Sequence, residues 1–125
     1  MTKTLCEAIN MLPKNPRKTI IMIVLNNGYA VKDVAELMGV SVPAVSRYIH
    51  DELAPSTPSI CRLIESIDYR TRTQITNYVI EQLWSTLSAL LREEAPSTII
   101  EHIADEIAQI IMNKINKEQK QFNTV

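Results

Sequence analysis

Apolar positions recur at helical spacing along nearly the whole chain, in stripes separated by prolines, asparagines and glycine. Leu5 to Leu12 reads as a short first helix, broken by Pro13 to Pro16. Asn15 followed by Pro16 has the cap-then-proline form of a helix start. The next segment, Arg17 to Asn26, carries Ile20, Ile21, Ile23, Val24 and Leu25, the broad apolar surface of a buried central helix that Asn27 and Gly28 end. Its β-branched run also admits a strand, but the flanking caps and the length favour helix. Further on, Thr57 and Pro58 open a helix that ends near Asp68, with Ile60, Leu63, Ile64 and Ile67 inward. Thr73 to Glu94 forms a long amphipathic helix carrying Ile75, Val79, Leu83, Leu87 and Leu90 or Leu91 on one side, with Tyr78 and Trp84 close by. Pro96 breaks it. Thr98 and Glu101 have capping-box spacing, and Ile99, Ile100, Ile103, Ile107, Ile110, Ile111 and Ile115 follow.

The segment between these helices, Val31 to His50, fits two short helices crossing at a tight corner. Val34, Ala35 and Met38 make one apolar stripe, and Lys32, Asp33 and Glu36 lie opposite. Helices approach steeply only where the residue at closest contact is small, and Ala35 sits four residues before Gly39, where a turn needs positive φ. Val40 plugs the space under the turn, Ser41 caps the next helix, and Pro43 falls in its first turn, where a missing N–H costs little. The second helix starts at about Val42 and turns Val45, Tyr48 and Ile49 inward. Val42, Pro43, Ala44, Ser46, Arg47 and His50 remain outside.

Such a face suits the major groove of DNA, which is roughly 12 Å wide and admits a helix whose leading residues are not bulky. Arg47 could reach the N7 and O6 acceptors of a guanine, Ser46 a base edge or a phosphate, and the methyls of Val42 or Ala44 a thymine methyl. AELMGVSVPAVSRYI resembles the helix-turn-helix of the phage-repressor (Cro-like) class, and especially small prokaryotic, often archaeal, transcriptional regulators with GVSxxAVSRY recognition helices. The likeness covers Arg17 to Ile67 and does not extend into the C-terminal half. It implies a DNA-binding regulator whose helix after the recognition helix braces it. Members of that class often have basic or glycine residues just past the recognition helix, where this chain has Asp51 and Glu52.

The expected architecture is all-α: an N-terminal repressor-like domain of about five helices over residues 1–69, then a C-terminal two-helix hairpin over 70–118 and a frayed polar tail over 119–125. The isoleucine face of the last helix is wider than one neighbouring helix covers, so a homodimer pairing its hairpins into a four-helix bundle is expected. The alternative folds the hairpin back on the first domain.

Length leaves no room for a separate enzymatic domain, and no carboxylate pair, nucleophile with base or phosphate-cradling loop is found, so neither an enzyme nor a cofactor is expected. The net charge of -1 and pI of 6.1 are unusual for a protein that neutralises phosphates, so local charge must carry DNA binding. Candidates for phosphate contact are Lys14, Arg17, Lys18 and the Ser41 hydroxyl, with Arg62, Arg70 and Arg72 further on. Cys6 and Cys61 lack metal-site spacing and read as buried or half-buried free thiols of a reducing cytoplasm, or, with Arg62 beside Cys61, as a thiol sensor. His50 and His102 imply no metal site. The longest apolar run, Ile20 to Leu25, is far short of the ~20 residues a membrane span requires, and no signal peptide is read. The expected function is sequence-specific double-stranded DNA binding by a dimer in transcription regulation. A helix-turn-helix adaptor or antitoxin-like protein-interaction module is the alternative.

Overall fold

A computed structural model describes the backbone of residues 2–123 and the side chains of residues 3–13 and 16–121. Its elements are all helices: α1 (Thr2–Asn10), α2 (Lys14–Asn26), α3 (Val31–Met38), α4 (Val42–Ile49), α5 (Thr57–Ser66), α6 (Tyr69–Glu93) and α7 (Ser97–Asn123). Among the described residues no strand occurs, so the β-branched run of α2 is helical. None of the described helices is long and apolar enough to cross a membrane.

The chain divides after Ser85 into two compact units. In the first, α1 packs on α5, α3 on both α4 and α5, and α2 on α3 and α4. Their inward stripes meet in one core of Ile9, Ile20, Ile21, Val24, Val34, Met38, Val45, Ile60, Leu63 and Ile64, all fully buried. Each such side chain contributes about 1.5–3 kcal/mol of transfer free energy on burial. Ile75 and Val79 of α6 enter the same core, so this unit runs past the boundary at residue 69 that the sequence suggested.

Several helix starts move N-terminally of their expected places, each for a local reason. α2 begins at Lys14 after Pro13, which leaves Pro16 within the first turn, where the backbone N–H has no intrahelical acceptor in any case. α6 begins at Tyr69 because Asp68 caps it. The Asp68 carboxylate accepts from the Thr71 N–H (3.1 Å) and the Thr71 hydroxyl (2.6 Å). Tyr29 donates its hydroxyl to the same carboxylate at 2.7 Å and accepts from the Asp68 N–H at 3.0 Å. These bonds, Thr71's foremost, hold the Asp68 carboxyl down at about 2, and the same carboxylate raises the Tyr29 phenol above its ordinary 10.0. Arg72 closes the preceding helix, donating to the Ile64 carbonyl at 3.1 Å and the Ile67 carbonyl at 2.9 Å.

Cys6 and Cys61 are joined as a disulfide between α1 and α5, with Cα atoms 5.6 Å apart, and no free cysteine remains among the described residues. This corrects the expectation of free thiols. The Thr57 hydroxyl donates to the Asn10 side-chain oxygen at 3.0 Å and ties the same two helices a second time.

The second unit contains the end of α6 and all of α7. The helix α7 starts at Ser97, so Thr98 lies inside its first turn rather than at its cap, and it stays helical to Asn123 through a segment expected to fray. The mixed Lys, Glu and Gln content of that segment has good helix propensity. The isoleucines are not packed away within one chain. Ile99, Ile100, Ile107, Ile110, Ile111, Met112 and Ile115 are 42–59% exposed, and only Ile103 among the stripe is half-buried.

Candidate nucleic-acid interface

The junction of α3 and α4 is built by backbone bonds that the sequence makes cheap. Gly39 adopts φ 71, ψ 33, the left-handed conformation that a Cβ disfavours. That turn lets the Gly39 N–H reach the Glu36 carbonyl (3.1 Å) and the Val40 N–H the Ala35 carbonyl (2.9 Å), which is a Schellman closure. Ala35 and Met38 are buried under it, and Val40 packs against the core. Ser41 then caps α4, its hydroxyl oxygen accepting from the Ala44 N–H at 3.2 Å, with Pro43 in the first turn.

Val45 and Tyr48 anchor α4 from below. The opposite side presents Val42, Pro43, Ser46, Arg47 and His50, all exposed. Ala44 is half-buried and packs partly against the core, so it is the least available of the residues assigned to base contact. Arg47 makes no ion pair among the described residues.

The proposed phosphate contacts fare differently. The Lys14 side chain lies outside the described residues. Arg17 is half-buried and donates from Nη1 to the Pro55 carbonyl at 3.1 Å, which pins the connection after α4, and its Nε is buried without a partner. Lys18 Nζ is 2.8 Å from Asp51 Oδ2. Ser41 is exposed, and its hydroxyl hydrogen is left over from the cap. Arg72 is committed to the carbonyls at the end of α5, whereas Arg70 is exposed.

Two features were not read from the sequence. Asp51 has φ 61 and closes α4 as Gly39 closes α3: its N–H reaches the Tyr48 carbonyl (3.3 Å), and the Glu52 N–H reaches the Arg47 carbonyl (2.9 Å). An aspartate tolerates this conformation better than most residues with a Cβ, so it takes the position where a glycine is usual. The other feature is where Arg62, a phosphate candidate by sequence, is placed. Its guanidinium lies over Gly39, where a Cβ on that glycine would sit 2.5 Å from Nη1. An exposed cation from α5 thereby stands at the corner that precedes α4.

The arrangement offers hydrogen-bond donors and small apolar groups on one convex helix, flanked by Arg62 and by the Lys18 and Asp51 pair. Among the described residues no group of three His, Cys, Asp or Glu side chains could hold a metal ion. No family model, curated protein or solved structure matches this chain.

Proposed function

We propose that the chain is a sequence-specific, double-stranded DNA-binding transcriptional regulator of helix-turn-helix type, acting as a homodimer through its C-terminal helices. One observation carries the reading: α4 is fastened from beneath by Val45 and Tyr48 and from its N-terminus by the Ser41 cap, while Val42, Pro43, Ser46, Arg47 and His50 stand exposed together. A helix held this way can enter a major groove without unfolding its support. Arg47 then takes a guanine edge, Ser46 and His50 add polar contacts, and Ser41 and Arg62 meet phosphates near the corner. One short helix reads few bases. Two of them in a dimer read half-sites about 34 Å apart, and the second contact is made at high effective concentration.

The uncovered isoleucines favour a second reading, in which the chain is an adaptor that binds another protein through that face. Selection of bound fragments from a random duplex pool, followed by titration against rising salt, separates the two. The regulator yields an enriched sequence and a steep fall in affinity with salt, about 0.9 in logarithmic slope per phosphate neutralised. Arg47→Ala should then cost about 1–3 kcal/mol on the selected site and little on random duplex. No enriched sequence and no salt-dependent binding would overturn the DNA reading.

A further inference from the structure

The helix α7 is 27 residues long, and the isoleucines of its apolar face remain 42–59% exposed apart from the half-buried Ile103. An isolated helix gains most of its stability from packing of its apolar side, so this one needs a partner in solution. Ile103, Ile107 and Ile111, with Ile100 and Ile110 beside them, lie within about a third of a turn of one another and share one face of the helix. Ile99 and Ile115 fall towards its opposite edges, because each step of four residues overshoots a turn of about 3.6. Ile107 is central to this face, and a two-fold axis there sets the face against its own copy.

Charge gives the direction. Glu101, Asp105 and Glu106 lie in the N-terminal half of α7, and Lys114, Lys117 and Lys120 in the C-terminal half, with Glu118 the acid among them. Two copies laid parallel would put acid against acid and lysine against lysine. Laid antiparallel, each acidic half faces a basic one, and the helix dipoles are opposed as well.

We propose that two copies of the chain pair through α7 in antiparallel orientation, with the two-fold axis at Ile107. Ile103 then meets the second copy's Ile111, and Ile107 lies beside its own equivalent. Helices that pair along their length in this way cross at a shallow angle of about 20°. Burial of the isoleucines supplies the association energy, and the segregated charges select the orientation. This inference rests on the homodimer reading and adds its geometry.

Sedimentation equilibrium of the unmodified chain tests the first half, and single-cysteine cross-linking tests the second. The Cys6 and Cys61 pair is left in place, and Ile103→Cys, Ile107→Cys and Ile111→Cys are made separately in the full chain, with the unmodified chain as control. The expected result is a mass of two chains, with ready cross-linking of Ile107→Cys to itself. Ile103→Cys and Ile111→Cys should fail to cross-link alone and do so when mixed. A monomer would overturn the dimer and this geometry together. A dimer whose Ile103→Cys and Ile111→Cys variants each self-link would be parallel, which overturns only the orientation. A dimer with no cross-link at any position would place the interface elsewhere.

Discussion

Lys18 Nζ lies 2.8 Å from Asp51 Oδ2, so a cation on α2 is held by the residue that ends α4. Both side chains remain accessible, at 33% and 68%, which limits the pair's contribution to stability to about 0–1 kcal/mol. Under the proposed DNA-binding function its larger consequence is for ligand charge. Asp51 would then occupy a lysine otherwise open to a phosphate beside the exposed face of α4, and lower DNA affinity below what the cations alone would give.

Asp51→Asn should therefore strengthen binding to any duplex and steepen the salt dependence by about 0.9 in logarithmic slope, the value for one added phosphate contact. Asparagine tolerates positive φ, so the closure of α4 survives. Lys18→Gln should have the weaker effect, because the wild-type lysine is already engaged. Fluorescence anisotropy at several salt concentrations reads both. Equal affinity and slope for Asp51→Asn and wild type would remove Lys18 from the interface.

The corner separates two costs that a single substitution confounds. Gly39→Ala meets positive φ, worth about 1–2 kcal/mol, and also pushes its Cβ into Arg62 Nη1. Arg62→Ala clears the second obstacle and leaves the first. In a thermal-melting double-mutant cycle, Gly39→Ala should be less damaging in the Arg62→Ala background, with the residual loss attributable to the backbone. Strict additivity would mean that the guanidinium does not rest on the glycine in solution.

The inward stripes of α3, α4 and α5 and the Ser41 cap were legible in the sequence because they depend on residues within one or two turns of each other. Val34, Ala35 and Met38, then Ile60, Leu63, Ile64 and Ile67, are all buried as their spacing required. What escaped is non-local. Lys18 and Asp51 stand 33 residues apart, and Cys6 and Cys61 stand 55 apart; no periodicity links such positions. The start of α6 was missed for a different reason. Asp68 and Thr71 form a capping pair, but Tyr69 and Arg70 between them add no apolar periodicity to announce a helix. For the candidate interface, the exposed face of α4 followed from its period, whereas which of the candidate cations are engaged depended on the tertiary partners of Arg17, Lys18 and Arg72.

The disulfide gives a prediction about stability. In a chain-entropy account, a bond closing a loop of 55 residues stabilises by about 4 kcal/mol. Reduction, or Cys6→Ser with Cys61→Ser, should lower the melting temperature of the first unit without changing its helix content at low temperature, since α1 keeps the bond from Thr57 to Asn10. Circular dichroism melting with and without reductant measures it. Identical curves would mean that the two sulfurs are not joined in solution.

Acid should act on the Asp68 cap. Its carboxyl is held at about 2 against an ordinary 3.8, chiefly by the hydrogen bond from Thr71 and next by that from Tyr29. Between those values the unfolded chain binds a proton that the folded chain does not, so the cap's contribution is complete above about 3.8 and is lost as pH falls towards 2. Asp68→Asn keeps one acceptor oxygen and removes the charge. The variant should melt lower than wild type at neutral pH, and the difference should shrink as pH is lowered through that window. Melting temperatures taken from pH 6 down to about 2 follow the convergence. Parallel curves across the range would show that the carboxylate is not the charged cap on α6.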